Sequence, residues 1–406
     1  MPTLTKYTQF SGFHWETGTI RNYWDYCGVK APHTEQPYSE ALLMGVSGGA
    51  VMGYFSFAYA GYPPHVALLT RNTFDPMDRL LQRLGVVQNV LHTSKPAKGR
   101  QNLLDTLEDG VPALVWADMY RLPYNALKHD DGWWAMMPIL VYGYDESADT
   151  VHIADRAAVP LTVSTGELAA ARARVKKDKF RVLTLDMPDP DKLAEAVSAG
   201  IWDAINLFTE KPPKGARNNF GLQAFEWWSK LLTKPKQRMS WEKEFPAGPK
   251  MVAGLTTTYN HIMLFGKSAG ITDDAAERLM YADFLDEASV ILHKPNLQHV
   301  AEEFRRSALA WRALATMLLP DEIAPFKQIR ELKLSIHRLF LQKGGAALDQ
   351  IHEQKAQLKA LEGAAGNDFP LDAAGVLAMR EALSTQVLTI RNTEEKAVAE
   401  LRSAMI

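Results

Sequence analysis

Strand signals stop part-way along this chain. Up to about residue 187, short apolar runs alternate with turn residues. Beyond MPDPDK (Met187–Lys192), where two prolines and two aspartates interrupt any regular element, the apolar residues recur at helical spacing. The break excludes one doubly wound sheet running the length of the chain. It divides the 406 residues into a mixed part and a helical part.

In the mixed part, Ile20, Tyr23, Trp24 and Cys27 share one helical face, with Thr17 or Thr19 as cap and Gly28 as stop. Ser39 and Glu40 open a second short helix that ends in the turn Gly45 to Gly49. Val51–Tyr59 reads as a strand, and Asp75–Leu84 and Gln101–Glu108 read as amphipathic helices. Val111–Met119 is a strand candidate. Pro138–Tyr144 and Thr150–Ala154 flank the turn-like DESAD and predict a hairpin. Pro160–Val163 and Phe180–Leu185 read as strands around a helix at Thr165–Arg174. Helices first and hairpin-connected strands after them make an α+β arrangement over residues 1–187.

The helical part predicts runs at Leu193–Phe208, Phe220–Leu232, Pro249–Phe265, Asp273–Ile291 and Leu297–Met317, an all-α domain over 188–320. Residues 321–406 differ. Phe326, Ile329, Leu332, Ile336 and Leu339 hold one face of a long helix, continued by Ile351, Leu358 and Leu361 and weakened at Gly344 and Gly345. After the turn GAAGNDFP, Leu383, Val387, Ile390, Ala397 and Leu401 follow a heptad-like spacing that misses one step at Glu394. The expectation is a helical hairpin about 50 Å long. A projecting hairpin leaves its stripe in water unless a partner covers it, so a homo-oligomer, dimer or larger, is expected.

Composition narrows function by exclusion. Lysine and arginine number 45 against 47 acids, a net charge of −2, so no excess is available to neutralise a nucleic-acid backbone. No apolar stretch is long enough to span a membrane, no basic-then-apolar leader opens the chain, and a cytoplasmic setting is expected. The lone Cys27 allows no disulfide framework, and as an apolar neighbour of a helix end it reads as a buried structural thiol. LFGKSAG (Leu264–Gly270) lacks the first glycine of a phosphate loop, and His293 and His299 are spaced wrongly for one helical face, so no metal and no cofactor is expected. The basic run RARVKKDKF (Arg172–Phe180) reads as a solvated helix end.

Four clusters are dense in residues that carry chemistry: Gly12 to Thr19 (GFHWETGT) before the first helix; Tyr38-Ser39-Glu40 leading to Gly48-Gly49; Trp116 to Tyr124 around Asp118; and Gly143-Tyr144-Asp145 with Asp155-Arg156. Helix N-termini offer free N–H groups to a ligand or nucleophile. Each polar residue also has a plain structural alternative. His14 and Glu16 can form a hydrogen-bonded pair, Asp118 and Asp155 can cap loops, and Arg156 can pair with a neighbouring acid.

Taken in order, these clusters resemble the N-terminal domain of the butirosin biosynthesis protein H family over about residues 10–185. GLQAFEWW (Gly221–Trp228), YADFLDEA (Tyr281–Ala288) and the helix ending at Trp311 resemble the helical domain of unknown function that follows it. The resemblance implies a papain-like, cysteine-peptidase-like fold and an acyltransferase that moves an acyl group from a carrier protein to an amine. In such a fold a thiol at the start of the first long helix pairs with a histidine from a later strand.

At the two positions where the resemblance places thiol and imidazole, this chain carries Trp15 and Met137. Neither side chain supplies a nucleophile or a base, so thiol peptidase chemistry is disfavoured. The expectation is a catalytically degenerate relative that binds a small or acyl-type ligand or scaffolds an assembly. Its ligand residues would be Gln9 (at the spacing of the family's oxyanion glutamine), His14, Glu16, Thr17, Asn22, Tyr54, Tyr124, Asp155 and Arg156. The alternative is an acyltransferase without a cysteine, in which His14, Glu16 or Asp118 assists an amine attacking a thioester by proximity and general-base help. A small molecule or an acyl carrier is the expected ligand, with no nucleic acid and no membrane.

Overall fold

The helix predicted after the first cluster forms because Ile20, Tyr23 and Trp24 fall on one face and are buried together. This is α1 (Thr17–Tyr26). It stops where Gly28 takes a φ of 74°. The computed structural model describes residues 2–128, 134–177, 179–210, 216, 218–264 and 275–406. Helix α2 (Glu40–Val46) starts at Ser39, whose side chain accepts the Leu42 N–H, and all seven of its residues are buried. Next come β1 (Ala50–Phe57), β2 (His65–Arg71), α3 (Pro76–Arg83), β3 (Gln88–Leu91), α4 (Pro96–Glu108), β4 (Ala113–Asp118), β5 (Met136–Asp145), β6 (Thr150–Ala154), β7 (Leu161–Val163), α5 (Thr165–Ala173) and β8 (Val182–Leu185). The predicted hairpin of β5 and β6 is present. A reciprocal Ser164–Glu167 capping box opens α5.

Two strands are additional to those read from sequence. β3 is a four-residue edge strand, mostly exposed, with no apolar period to reveal it. β2 pairs antiparallel with β1 as a separate two-stranded sheet, while the six-stranded sheet runs β3-β8-β4-β5-β6-β7, antiparallel throughout. The fold is therefore a mixed one, with a sheet-bearing first part and a helical second part.

The helical part comprises α6 (Leu193–Thr209), α7 (Gly221–Thr233), α8 (Trp241–Glu244), α9 (Pro249–Met263), α10 (Arg278–Ile291), α11 (Asn296–Leu318), α12 (Ala324–Lys343), α13 (Leu348–Asn367) and α14 (Ala373–Met405). Residues 265–270 of the GKS segment, and Asp273, lie outside the described residues. The β1–β2 hairpin packs on α6, α7 and α9, and one contiguous apolar core runs from Leu4 to Met405.

The projecting hairpin is corrected. Its first long helix breaks at Gly344, where φ is 52° and an added Cβ would lie 2.6 Å from Leu161 Cδ2. The chain makes a short 3-10 turn there, and α13 folds back along α12. Helix α14 does not project either. It packs along α7 and α11, and Leu383, Val387, Ile390, Ala397 and Leu401 are all buried within the chain. The step missing from its repeat, Glu394, is a buried charge. Arg278 donates to Glu394 through Nε at 2.7 Å and Nη2 at 3.0 Å, and to the carbonyls of Val51, Thr70 and Ala276 at 2.9 Å each. Ser307 Oγ and Trp311 Nε1 complete the shell of the carboxylate at 2.7 and 2.8 Å. Both side chains are fully buried, and the pair joins the β1–β2 hairpin to α10, α11 and α14. Among the described residues no helix is long and apolar enough to cross a membrane.

Candidate functional site

The loop before α1 is shaped by one carboxylate. Glu40, at the start of α2, accepts the Phe13 N–H (2.9 Å), the His14 N–H (2.8 Å) and the Thr17 hydroxyl (3.0 Å). Burial pushes this carboxyl above its ordinary value, opposed by the Phe13 amide and by Arg71. From α1, Asn22 Oδ1 accepts the N–H groups of Ser11 (3.2 Å) and Gly12 (2.9 Å). Gly12 lies against Gly18 so closely that a Cβ there would come within 2.0 Å of the Gly18 carbonyl oxygen. The expected ligand residues Asn22 and Thr17 therefore brace the loop, through the Asn22 carbonyl oxygen and the Thr17 hydroxyl.

What the loop presents is a cleft of about 300 Å³ lined by His14, Trp15, Glu16, Arg71, Met137 and Glu277, with Leu68 and Pro76 among its apolar walls. Trp15 precedes α1, and Met137 lies at the start of β5. The two positions that the resemblance assigned to thiol and base thus share one cavity. Arg71, from the strand missed in sequence, crosses the back of it. Its Nε donates to Glu277 at 2.6 Å, its Nη2 pairs with the same carboxylate, and its Nη1 donates to Thr17 Oγ1 at 3.2 Å. Thr70 also donates to Glu277, at 2.5 Å. No signal in the sequence points to Arg71 or Glu277. Glu40 stood in a recognised cluster, but the role of its carboxylate shows only in three dimensions.

His14 is neutral: burial, then Arg71 and Arg156, hold its imidazole well below the usual histidine value. The Glu16 N–H donates to His14 Nδ1 at 3.2 Å, which leaves the ring proton on Nε2. The side-chain pair expected between His14 and Glu16 is thus a backbone-to-imidazole bond. Burial raises the Glu16 carboxyl, with Arg71 opposing.

Asp155 and Arg156 follow β6 and meet the same region from the other side. Arg156 bonds Asp155 through Nε and Nη2, both at 3.1 Å, and also reaches Asn125 Oδ1. Its guanidinium lies over two rings, Trp15 at 4.9 Å and Phe340 of α12 at 5.2 Å. Tyr124 donates its hydroxyl to Asp155 at 3.2 Å.

Three expected site residues lie elsewhere. Asp118 pairs in register with Met136, whereas Met137 pairs with Ala117. Alternation along a strand therefore puts Asp118 on the opposite sheet face from the cleft. There its carboxylate accepts the Tyr120 and Ala135 N–H groups and meets Arg174 at 3.3 Å. Tyr54 is a core residue, stacked on Trp228 and accepting Trp241 Nε1–H at 2.9 Å. Gln9 folds back on Thr8 and does not line the cleft. Cys27 is exposed, not buried as expected, because α1 ends at Tyr26 and leaves it at the cap; partial desolvation raises its thiol. His299, Glu303 and Glu400 bring three donor atoms within 4.8 Å of one another, but Lys396 (2.9 Å) and Arg306 (2.5 Å) already occupy Glu303.

A comparison with protein families bears on this geometry. Residues 14–156 match the family model described as butirosin biosynthesis protein H, N-terminal, and residues 166–341 match a domain of unknown function, DUF4872. The sheet-bearing part of the chain is thus similar to the butirosin-H N-terminal family, and the helical part to that domain of unknown function. No curated protein matches the chain. The first match begins at His14 and ends at Arg156, so it is bounded by two residues of the site. Within the butirosin-H region the loop before α1, the start of β5 and the end of β6 converge around Trp15.

Proposed function

We propose that this butirosin-H-like protein binds a small, acyl-type ligand in the Trp15–Met137 cleft on a papain-like framework, and that it is catalytically degenerate toward thiol chemistry. The observation that carries the reading is the meeting of Trp15 and Met137 on one cavity. The site that thiol and imidazole would share is built, and it holds an indole and a thioether. A mainly apolar cleft with a neutral His14 and the Glu16 carboxyl at its rim suits an uncharged acyl or amide group more than a free anion. Cys27 lies at the far end of α1 and offers no replacement nucleophile to the cleft.

The test is calorimetric titration with the butyryl thioester of N-acetylcysteamine, followed by intact mass measurement. Reversible binding at one site is expected, with no covalent adduct. Met137→Trp should fill the cleft and weaken binding at least tenfold. An acyl adduct on the protein, or unchanged binding in a folded Met137→Trp variant, would overturn the reading.

A second reading is favoured by Glu16, the one carboxyl on the cleft that burial moves toward the range of a general base. Acyl transfer to an amine without a cysteine would then survive. Thiol release from the same thioester on adding glycinamide, lost in Glu16→Gln, would select it. Scaffolding through the C-terminal stripe loses its argument, because α14 is covered by α7 and α11. A homo-oligomer would have to use other surfaces, and light scattering checks it.

A further inference from the structure

We infer that the cavity between the sheet region and helices α12 and α13 is a second binding site, for a small anion with an apolar body. This does not rest on the function proposed above. The cavity has a volume of about 330 Å³, within the range of small-molecule sites. Its apolar walls are Ile336 and Phe340 of α12 and Ile351 and Leu358 of α13, and Arg156 and Lys355 supply the charge.

Lys355 is the residue that calls for a ligand. Its ammonium donates to the carbonyls of Ala126 at 2.6 Å and Asn125 at 3.2 Å, and among the described residues it has no carboxylate partner. The other cations of this wall have theirs. Lys333 pairs with Glu362 at 2.9 Å, and Arg156 with Asp155 at 3.1 Å. Partial desolvation draws the Lys355 amine below the ordinary lysine value. Lys355 is partly buried, and an anion in the cavity would supply the counter-charge that its ammonium lacks there. Two of its three N–H groups are used on carbonyls, so the third is left for an anionic oxygen. An acid group there would place its hydrocarbon against Ile336, Ile351 and Leu358.

The cavity adjoins the Trp15 cleft through one side chain. Arg156 lies between Trp15, which lines the cleft, and Phe340, which lines the cavity. The two sites are thus neighbours with different chemistry.

Octanoate is the probe, titrated by calorimetry into the full chain, with octan-1-ol as its uncharged counterpart and thermal melts as the control for folding. One molecule of octanoate should bind, and octan-1-ol at least tenfold more weakly. Lys355→Gln keeps an amide donor for the two carbonyls and removes the charge, so it should weaken octanoate at least tenfold while the melt is retained. Ile351→Trp should block both probes. Met137→Trp, which fills the other cleft, should leave octanoate binding as it was. Absence of octanoate binding at millimolar concentration, equal affinity for the alcohol, wild-type affinity in folded Lys355→Gln, or loss of octanoate in Met137→Trp would each overturn the assignment.

Discussion

Two buried glutamates, one in each part of the chain, are neutralised differently. Glu394, in the helical part, faces the guanidinium of Arg278, and three helices and a hairpin close around the pair. Glu40, in the sheet-bearing part, is held mainly by groups of the loop itself, with Arg71 and Arg21 favouring its charge. Two backbone amides and a hydroxyl satisfy it, and Arg71 stands one bond further off, through Thr17. The first arrangement welds elements that are already regular. The second gives shape to a segment that has no regular structure of its own. A cleft needs the second kind, because irregular backbone keeps its form only when its N–H groups find acceptors.

The largest effect should come from breaking the welded pair. Glu394→Ala leaves Arg278 buried and uncompensated, and loss of one partner of such a pair costs about 3–5 kcal/mol. Guanidinium unfolding monitored by circular dichroism should show it, with near-UV signals of the helical part lost first. A fall of less than about 1 kcal/mol would mean that Arg278 finds water on substitution, and the contrast with Glu40 would fail.

A smaller effect is expected at Glu40. Glu40→Ala removes three acceptor contacts from a buried loop, and unsatisfied buried donors cost about 1–3 kcal/mol. The sharper readout is local. Amide exchange at Phe13 and His14 should accelerate strongly, while exchange in α11 and α14 changes little. Uniform acceleration through the whole chain would show that the loop is not a separate unit, and the comparison would need redrawing. Glu40→Gln retains one carbonyl oxygen and should fall between the two.

The same two glutamates explain what could be read in advance. Most elements of the sheet-bearing part were legible because apolar runs and turn residues punctuate it, as in β5, DESAD and β6. Strand β2 was not, because HVALLTR (His65–Arg71) sits behind prolines and its partner lies on the helices rather than in the main sheet. With β2 unread, Arg71 had no place, and the back of the cleft could not be drawn. The stripe of α14 was legible as a stripe, but what covers it depends on contacts with α7 and α11, far apart in sequence. The interruption at Glu394 was visible as a gap, and only Arg278 gives it a meaning. The convergence of Trp15 with Met137 followed from the family's order of motifs. The rejection of Asp118 needed register, since a shift of one residue moves a side chain to the other sheet face.

The smallest change, and the most searching, concerns that convergence. Trp15→Cys with Met137→His would return a thiol and an imidazole to the two positions. A thiol at residue 15 stands at the N-terminal end of α1, where the helix dipole favours the thiolate. The Arg156 guanidinium, now 4.9 Å from the Trp15 ring, adds positive charge on the same side. Both effects stabilise the thiolate relative to the thiol, so the pKa of the new cysteine should fall below the free value of about 8.5. Ultraviolet titration of thiolate absorbance, with Cys27→Ser in the background, measures it. Trp15→Cys alone should show part of the shift, from the dipole and Arg156, and the added histidine the rest. If the double variant folds and its new thiol titrates at the free value, residue 15 does not stand where a butirosin-H nucleophile would. The cleft would then owe its shape to Glu40 and Asn22 alone, with no inherited catalytic position inside it.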